Sequence, residues 1–384
     1  MSGFPKKLQK KLKNREENKA LRKLPEQNEL IDFATNDYIG FSGSKLIFDN
    51  AHNALEKKGI CQNGATGSRL LSGNHELYSN TEEILANFHN SESALIFNSG
   101  YDANVGFFSS VPQRGDIILY DELIHASIRD GITMSNAKSY KFKHNDLVDV
   151  SRRIGRSRNV DGFDNEVYIV TESVFSMDGD IPDLKAFARL CQENKCHFIV
   201  DEAHATGVFG NSGVGLIQEL ELEDTVFARI HTFGKALGCH GSVILGTSEL
   251  KSYLVNFARS FIYTTGLPPH SLSVIQAAYA ELKTTSEIEK LRSNIYFFNQ
   301  KVAAVNLKSF FIESNSSIHC CVISGNENVK AVALHLQKNG FNVKPILSPT
   351  VSEGKERLRF CLHSYNTKEE IAEVLELLAT FVQN

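Results

Sequence analysis

The stretch HFIVDEAH (residues 197–204) is followed along the chain by HTFGKALG (residues 231–238). The first is an apolar run that closes on an acid, Asp201, and the second leads from a strand-like run into Lys235, which follows a glycine. Short apolar runs of this kind are typical of strands that are buried on both faces. Because ligands of parallel sheets bind beyond the carboxyl ends of the strands, Asp201 and Lys235 are expected to converge there. The pair predicts a parallel sheet with a functional site at its edge.

Strand and helix signals alternate between residues 90 and 250. Between two of the apolar runs, Leu184, Phe187, Ala188 and Cys191 recur at helical spacing, which makes a strand–helix–strand unit. The predicted strands are 93–98, 116–120, 166–172, 197–203, 225–233 and 242–246. This alternation predicts an α/β fold with a mostly parallel sheet flanked by helices.

The last third of the chain has a different pattern. Runs at 318–324 and 357–364 predict strands on either side of a helix that begins near Val329. A final helix is expected to open with Thr367 and Glu370 as a capping box and to bury one apolar face. The sequence therefore predicts a smaller α+β domain here. The predicted units are an N-terminal helical segment (1–45), a large α/β domain (46–280) and a small C-terminal domain (281–384).

Length and composition exclude several classes of protein. The chain has 384 residues, of which 42% are hydrophobic and 22% charged, which suits two or more globular units. The net charge of -4 argues against nucleic-acid binding, and no apolar run approaches a membrane span. The seven cysteines lack metal-ligand spacing, so neither a metal site nor a disulfide framework is predicted. Because the amino terminus lacks the apolar core of a secretory signal, a cytoplasmic location is expected.

The segment at residues 6–24 is strongly basic. It carries nine basic residues, with leucines at positions 8, 12, 21 and 24. This composition predicts a solvated amphipathic helix on the surface.

Each candidate site residue also has an ordinary structural explanation. A lysine after a glycine is usually a solvated loop residue, and His125 and His204 could each be a hydrogen-bonded structural histidine. The DEAH sequence also occurs in helicases, but this chain has no GxxxxGK[ST] loop to hold a triphosphate. Ser99, Gly100 and Tyr101 could form an ordinary turn, or could offer backbone N–H groups to a phosphate at a helix N-terminus. Together these residues predict a phosphate site, a stacking ring, an acid and an amine in one cofactor site.

Ten motifs carry a resemblance that extends from about residue 20 to the end of the chain. They are NDYIGF (36–41), GATGSRLLSGNHELY (64–78), FNSGYDANVG (97–106), DELIHASIRDG (121–131), KHND (143–146), TESVFSMDGD (171–180), VDEAHATGVFG (200–210), HTFGKALG (231–238), FARSFIYTTGLPP (257–269) and SPTVSEGKERLRF (348–360). In these motifs and their order the chain resembles the α-oxoamine synthases, a family of fold-type-I pyridoxal phosphate (PLP) enzymes. The resemblance implies a PLP-dependent acyltransferase.

The resemblance implies a catalytic role for three residues. Lys235 would hold PLP covalently and act as the base that removes a proton from the amino acid substrate. Asp201 would pair with the nitrogen of the cofactor ring, and His125 would stack on the face of that ring.

Further residues are implied to bind the cofactor. His204 and Ser176 would contact its phenolic oxygen, with Glu172 as a supporting partner. The phosphate would bind the backbone of Gly100 and Tyr101 together with Thr232. Thr264 or Thr265 from a partner subunit would reach the same phosphate, which predicts a homodimer with shared active sites.

Four residues are implied to bind substrates. Arg359 would clamp the carboxylate of the amino acid, because its planar guanidinium can form two parallel hydrogen bonds. Asn36 would lie nearby, and Thr350 matches a substrate-contacting threonine of the family. Arg22 aligns with an arginine that meets the far carboxylate of a pimeloyl chain.

The implied reaction is a decarboxylative condensation of an amino acid with an acyl thioester. The motifs are most similar to those of family members that join L-alanine to a pimeloyl thioester, carried by coenzyme A or acyl carrier protein, in biotin synthesis. Members that use glycine or serine share the cofactor residues and remain alternatives. Two other hypotheses are that the protein is an aminotransferase or a catalytically silent homologue.

Overall fold

The computed structural model describes residues 3–22, 24, 29–157 and 165–382. The strands within these ranges are β1 (Ile31–Asp32), β2 (Ser93–Phe97), β3 (Ile117–Asp121), β4 (Lys138–Phe142), β5 (Val167–Glu172), β6 (His197–Asp201), β7 (Ala228–Thr232), β8 (Ser242–Gly246), β9 (Ile318–Val322), β10 (Phe341–Asn342), β11 (Lys344–Ile346) and β12 (Arg357–Cys361). The helices are α1 (Lys6–Glu17), α2 (Lys45–Lys57), α3 (Glu76–Phe88), α4 (Gly100–Ser110), α5 (Ala126–Met134), α6 (Leu147–Ser157), α7 (Leu184–Glu193), α8 (Leu216–Glu219), α9 (Ser248–Phe257), α10 (Arg259–Ile262), α11 (Pro269–Leu282), α12 (Glu287–Ala304), α13 (Asn326–Lys338) and α14 (Lys368–Val382).

A seven-stranded sheet with the order β2-β8-β7-β6-β5-β3-β4 forms the centre of the molecule. Only β8 runs opposite to the other six strands, so the prediction of a mostly parallel sheet is confirmed. Alternate side chains of the inner strands enter two different cores. Val170 packs in the same core as Phe107 of α4, whereas Ile169 packs with Phe187 of α7. Helices thus cover both faces, which is why the strand sequences are almost continuously apolar.

The six predicted strands of this sheet are all present, with small differences at their ends. The predicted strand 225–233 is shorter, because residues 223–225 form a turn of 3-10 helix before β7 begins at Ala228. The strand β4 was missed. It lies at the edge of the sheet and four of its five side chains are exposed, so it lacks the apolar run that marks its neighbours.

A second sheet, with the order β11-β12-β9, is antiparallel and lies in the C-terminal part of the chain. The predicted capping box of α14 is confirmed. The backbone N–H of Thr367 donates to Glu370 over 2.8 Å, and the N–H of Glu370 donates to the Thr367 hydroxyl over 3.1 Å. The predicted helix near Val329 is α13, which begins three residues earlier. The expected smaller α+β unit is therefore present.

The N-terminal part of the chain packs against this C-terminal unit. Helix α1 ends at Glu17 and is therefore shorter than the helix predicted for residues 6–24. None of its described side chains is buried, as a surface helix requires. The strand β1 pairs in parallel with β10 through Ile31 and Phe341, and the carbonyl of Phe33 accepts from the N–H of Cys361 over 2.8 Å. Residues 31–38 are thereby placed between the small sheet and the carboxyl edge of the central sheet. Among the helices that the structure describes, none combines the length and apolarity that crossing a membrane requires.

Candidate active site

Lys235 lies in the loop that connects β7 to β8. The carbonyl of Lys235 accepts from the N–H of Gly238 over 2.9 Å, which closes a tight turn. Gly238 has a φ of +61°, and a Cβ at this position would collide with the backbone of Ser42, so the turn requires glycine. The turn directs the half-buried lysine side chain inward, where Nζ lies 2.7 Å from Nε2 of His204.

Burial lowers the pKa of Lys235 to about 8, although Asp201 and Glu172 are close enough to oppose this shift. A lysine with a pKa in this range is partly neutral near physiological pH, and only the neutral amine is a nucleophile. The predicted convergence of Lys235 with Asp201 is thus present as an electrostatic interaction between the two side chains. The solvated loop lysine of the alternative explanation does not fit this burial.

Asp201 lies at the end of β6 and is buried. Its Oδ2 accepts from Nδ2 of Asn104 over 2.9 Å, and its Oδ1 accepts from the backbone N–H of Ala203 over 2.9 Å. Asn104 on α4 also donates to the hydroxyl of Ser127 over 3.0 Å. Sequence reasoning missed Asn104. The available signal was a polar residue on the buried face of α4, next to Ala103 and in line with Phe107.

His125 forms the N-cap of α5 beside Asp201. Its Nδ1 accepts from the N–H of Ser127 over 3.2 Å and lies 2.7 Å from the Ser127 hydroxyl, so the ring carries its proton on Nε2. The backbone N–H of His125 donates to Oε1 of Glu172 over 2.5 Å. Burial lowers the pKa of His125, although the charge of Asp201 opposes the shift. Burial raises the pKa of Glu172 to about 8, and Asp201 adds to this effect.

The candidate phosphate residues lie where α4 begins. The Ser99 hydroxyl caps the helix by accepting from the N–H of Asp102 over 3.0 Å. A Cβ added to Gly100 would lie 3.5 Å from Oγ1 of Thr232, so the helix N-terminus and the end of β7 are adjacent. Tyr101 is half exposed, and its hydroxyl donates to Asp130 over 2.6 Å. The helix N-terminus thus has the positive end of its dipole next to a hydroxyl donor, as anion sites require.

Arg359 on β12 is buried and held in a fixed plane. Its Nε donates to the backbone carbonyl of Ser176 over 2.7 Å, and its Nη2 donates to Oδ1 of Asn36 over 3.0 Å. The same Oδ1 lies 3.1 Å from the hydroxyl of Tyr38. Three of the candidate residues, namely Arg359, Asn36 and Ser176, are therefore brought together by the small sheet, the segment after β1 and the loop after β5.

Tyr38 is a further residue of the site that sequence reasoning missed. It is fully buried, and its hydroxyl lies 2.7 Å from Nδ1 of His204. Burial holds the pKa of His204 well below its usual range, so this histidine is neutral. The signal for Tyr38 was present in the motif NDYIGF, but its partner is 166 residues away in sequence.

A cluster around His144 fixes the loop that contains Ser176. The ring of His144 lies between two carboxylates, with Nδ1 2.9 Å from Asp121 and Nε2 2.8 Å from Asp180. Burial alone would lower the pKa of His144, but these hydrogen bonds overcome it and raise the pKa to about 9. His144, Asp178 and Asp180 are residue types that bind metals, and their ligand atoms lie within 4.8 Å of one another. The imidazolium and an ion pair from Arg357 to Asp178 already balance their charges.

Some candidate residues are not joined to this network. Thr350 is exposed in the turn after β11, and Arg22 is exposed beyond the end of α1. Within the described ranges, no hydrogen bond or ion pair connects either residue to Arg359. In the single chain, Thr264 and the carbonyl of Thr265 accept from the amide of Asn98 over 3.0 Å and 2.6 Å, just before the turn at Ser99.

Comparison with known proteins gives consistent results. A family model described as aminotransferase class I and II matches residues 28–378. The chain is 42% identical to an 8-amino-7-oxononanoate synthase from Emericella nidulans, over 98% of this chain and 95% of that protein. A crystal structure of 8-amino-7-oxononanoate synthase from Francisella tularensis has 31% identity and a TM-score of 0.77, with 93% of this chain and 99% of that chain covered. A serine palmitoyltransferase from S. paucimobilis with bound PLP and myriocin has 25% identity and a TM-score of 0.87, with 98% and 97% covered.

Proposed function

Since the chain belongs to the aminotransferase class I and II family, we propose that it condenses L-alanine with a pimeloyl thioester, with loss of carbon dioxide, to give 8-amino-7-oxononanoate for biotin synthesis. The thioester is carried by coenzyme A or by acyl carrier protein. The observation that carries this proposal is the half-buried Lys235, whose lowered pKa and acidic neighbours suit a cofactor-binding amine. The choice of substrates comes from the 42% identical relative.

The chemistry of the donor set fits PLP. The N-terminus of α4 and the Thr232 hydroxyl suit a phosphate, and the carboxylate of Asp201 suits a protonated ring nitrogen. His125 offers a flat ring whose N–H is on Nε2, and Lys235 offers an amine. When bound, PLP supplies the electron-withdrawing ring that stabilises negative charge on the α carbon of the amino acid.

The side chains of the protein carry out the proton transfer and bind the substrate. Lys235 takes the proton from the α carbon of the amino acid and later returns a proton to the product, and Nε2 of His204 accepts a hydrogen bond from the protonated amine. Asn104 and the N–H of Ala203 orient the carboxylate of Asp201. Arg359 binds the substrate carboxylate, and its plane is set by Ser176 before the substrate arrives. Thr350 is proposed to contact a substrate, and Arg22 is proposed to meet the far carboxylate of the pimeloyl chain.

Two of the relatives suggest different amino acid substrates. The backbone is more similar to that of serine palmitoyltransferase, with a TM-score of 0.87 against 0.77, but the sequence is more similar to 8-amino-7-oxononanoate synthases, with 42% identity against 25%. Because substrate choice depends on side chains rather than on the path of the backbone, the identity carries more weight. L-alanine is therefore preferred over L-serine in the proposal.

The variant Lys235→Ala tests the cofactor assignment. We expect it to abolish the visible absorbance of bound PLP and the release of the thioester carrier. Lys301→Ala is the control, since Lys301 is also partly buried but pairs with Glu376 on the far small unit. Retention of the absorbance in the Lys235 variant would refute the assignment.

A panel of amino acids crossed with acyl thioesters tests the substrates. Carrier release and carbon dioxide are measured for L-alanine, glycine and L-serine with thioesters of different lengths. We expect turnover with L-alanine and the pimeloyl thioester. Turnover with glycine or L-serine but not with L-alanine would exclude the proposed reaction and leave the cofactor assignment intact.

We further propose a homodimer in the cytoplasm. The loop before α3 meets the segment after α10, where the N–H of Gly266 donates to the carbonyl of Gly67 over 3.0 Å. This surface presents Leu71 and Tyr263, which are 85% and 73% exposed, and such apolar side chains favour a subunit interface. None of the seven cysteines is in a disulfide, which suits a reducing compartment. Light scattering on the wild type and on Leu71→Asp should show a dimer that the substitution weakens.

A further inference from the structure

A continuous chain of hydrogen bonds connects the substrate-binding arginine to the cofactor-binding lysine. It runs from Nη2 of Arg359 to Oδ1 of Asn36 over 3.0 Å, and from there to the Tyr38 hydroxyl over 3.1 Å. It continues to Nδ1 of His204 over 2.7 Å, and from Nε2 of the same ring to Nζ of Lys235 over 2.7 Å. Asn36 and Tyr38 follow β1, His204 follows β6 and Lys235 follows β7. This chain of hydrogen bonds therefore connects the small C-terminal unit to the large sheet.

The donors and acceptors in this chain allow one complete arrangement when Lys235 is protonated. An ammonium group can only donate, so Nε2 of His204 must accept and the single ring proton must lie on Nδ1. The Nδ1–H then donates to the oxygen of Tyr38, and the Tyr38 O–H donates to Oδ1 of Asn36, which also accepts from Arg359. The opposite tautomer directs an N–H at the ammonium group and leaves the oxygens of Tyr38 and Asn36 facing each other without a proton.

Burial makes an unpaired donor or acceptor in this arrangement costly. Tyr38 is 0% exposed and His204 is 4% exposed, so water is not available as a substitute partner. The groups that act on Lys235 and His204 come from several elements around them. They are Asp201, Glu172, His125, Arg359 and Cys361. Arg359 and Ser317 also interact with the Tyr38 hydroxyl. Among the described residues, Nδ1 of His204 hydrogen-bonds to Tyr38, so the tautomer of His204 depends on that hydroxyl.

We propose that Tyr38 is a positioning residue that keeps the ring proton of His204 on Nδ1, so that Nε2 accepts a hydrogen bond from the protonated amine of Lys235. The proposal rests on the proposed function in one respect, namely that Lys235 is the lysine that takes a proton from the substrate. At that moment the ammonium group forms and needs an acceptor. Tyr38 keeps that acceptor available. Asn36 bonds to both the Tyr38 hydroxyl and Arg359, and so links the orientation of Tyr38 to the arginine that binds the substrate carboxylate.

The test uses cofactor-free protein, in which the amine of Lys235 can be titrated directly. Its reactivity toward a trace of acetic anhydride is followed against pH by peptide mass spectrometry, with exposed lysines in the same sample as internal references. In Tyr38→Phe the Nδ1–H loses its acceptor, the proton moves to Nε2, and the ammonium group loses its own acceptor. We expect the titration midpoint of Lys235 to fall by about one pH unit relative to the wild type.

Tyr279→Phe is the matched control. Tyr279 is also fully buried, and its hydroxyl lies 2.9 Å from Nε2 of another buried histidine, His89. Its loss removes a similar hydrogen bond from the core without touching the chain to Lys235, so the midpoint of Lys235 should stay at the wild-type value. An unchanged midpoint in Tyr38→Phe, or an equal shift in both variants, would overturn the proposal.

A second measurement needs no variant, which matters if Tyr38→Phe does not fold. Nitrogen-15 chemical shifts of labelled histidine identify the tautomer of His204 in the cofactor-free wild type. Below the midpoint of Lys235 we expect protonated Nδ1 and unprotonated Nε2, and the opposite tautomer would refute the role of Tyr38. Both measurements are independent of the substrates. If the proposed function were wrong, the wild type would show no PLP absorbance or no turnover, whereas the midpoint and the tautomer would still report on Tyr38.

Discussion

The two faces of the central sheet, at the ends of β6 and β7, both bury charged side chains but give them different partners. On one face, Asp201 contacts Asn104 of α4, and Thr232 lies against the start of the same helix. On the other face, Glu202 and His231 lie next to them in sequence but point the opposite way, because successive side chains of a strand alternate. We refer to these as the site face and the back face.

The buried side chains of the back face form hydrogen bonds with backbone N–H groups and with other side chains. Oε1 of Glu202 accepts from the N–H groups of Leu216 and Ile217 over 2.8 Å and 3.1 Å, which caps α8. Nδ1 of His231 lies 2.7 Å from the Thr206 hydroxyl. Its ring packs against His89, with ring centroids 4.3 Å apart. These contacts tie the ends of the strands to the surrounding helices.

The comparison shows that a shifted pKa does not identify a catalytic group. Burial raises the pKa of Glu202 to about 7 on the back face, and it lowers the pKa of Lys235 to about 8 on the site face. What distinguishes the site face is the kind of partner. There an amine, a carboxylate and a helix N-terminus converge, whereas the back face connects side chains to backbone and to one another.

The largest expected effect is on the site face. Asp201→Asn should lower kcat/KM by about 10²–10³-fold, because a neutral amide no longer matches a protonated cofactor nitrogen. Asparagine keeps the oxygen that accepts from Ala203 but places an amide NH2 group against Nδ2 of Asn104, so the melting temperature should also fall slightly. Steady-state kinetics and thermal denaturation measure both effects. Near-wild-type kcat/KM would remove Asp201 from the active site.

Glu202→Gln is the matched change on the back face and should affect stability rather than activity. The pKa of Glu202 is raised by burial from 4.5 to about 7. The stability associated with the protonated form is therefore present below about pH 4.5 and is lost as the pH rises through about 7. The variant should escape this loss, so its advantage over the wild type should grow above about pH 4.5 and reach about 3 kcal/mol above about pH 7. Chemical denaturation at several pH values measures the gain, and a pH-independent difference would contradict the assignment.

A third comparison uses two buried arginines. Arg359→Lys should raise the KM for the amino acid about tenfold, since lysine cannot form the paired hydrogen bonds of a guanidinium. Arg229 on the back face donates to the carbonyl of His89 over 2.6 Å, and Arg229→Lys should lower stability without changing KM. A similar rise in KM for both variants would mean that the two faces are not distinct in function.

The smallest expected effect is that of Tyr279→Phe. Loss of its hydrogen bond to His89 should cost about 1 kcal/mol of unfolding free energy. Because Tyr279 belongs to the back face, kcat and KM should remain at wild-type values. A fall in kcat would show that the packing of the back face affects catalysis on the site face.

The sequence was informative where one local pattern decides the structure. Apolar runs that end in Glu172 and Asp201 were enough to predict parallel strands and the convergence of their last residues with Lys235. The edge strand β4 was missed because its side chains face water. Asn104 and Tyr38 were missed for another reason: each is an unremarkable polar residue within a helix or loop, and its role depends on partners about a hundred or more residues away. Such partners become visible only when the fold brings them together.

The parallel pairing of β1 with β10 also constrains how the polypeptide comes together during translation. Ile31 leaves the ribosome early, but Phe341, which it pairs with, is made some 310 residues later. The small unit therefore cannot be completed until almost the whole chain has been synthesised, even though the large sheet has all of its strands by Gly246. Asn36 can bond to Arg359 only after β12 has been made, so the strands that carry the lysine and the acid are synthesised well before the carboxylate-binding residues can assemble.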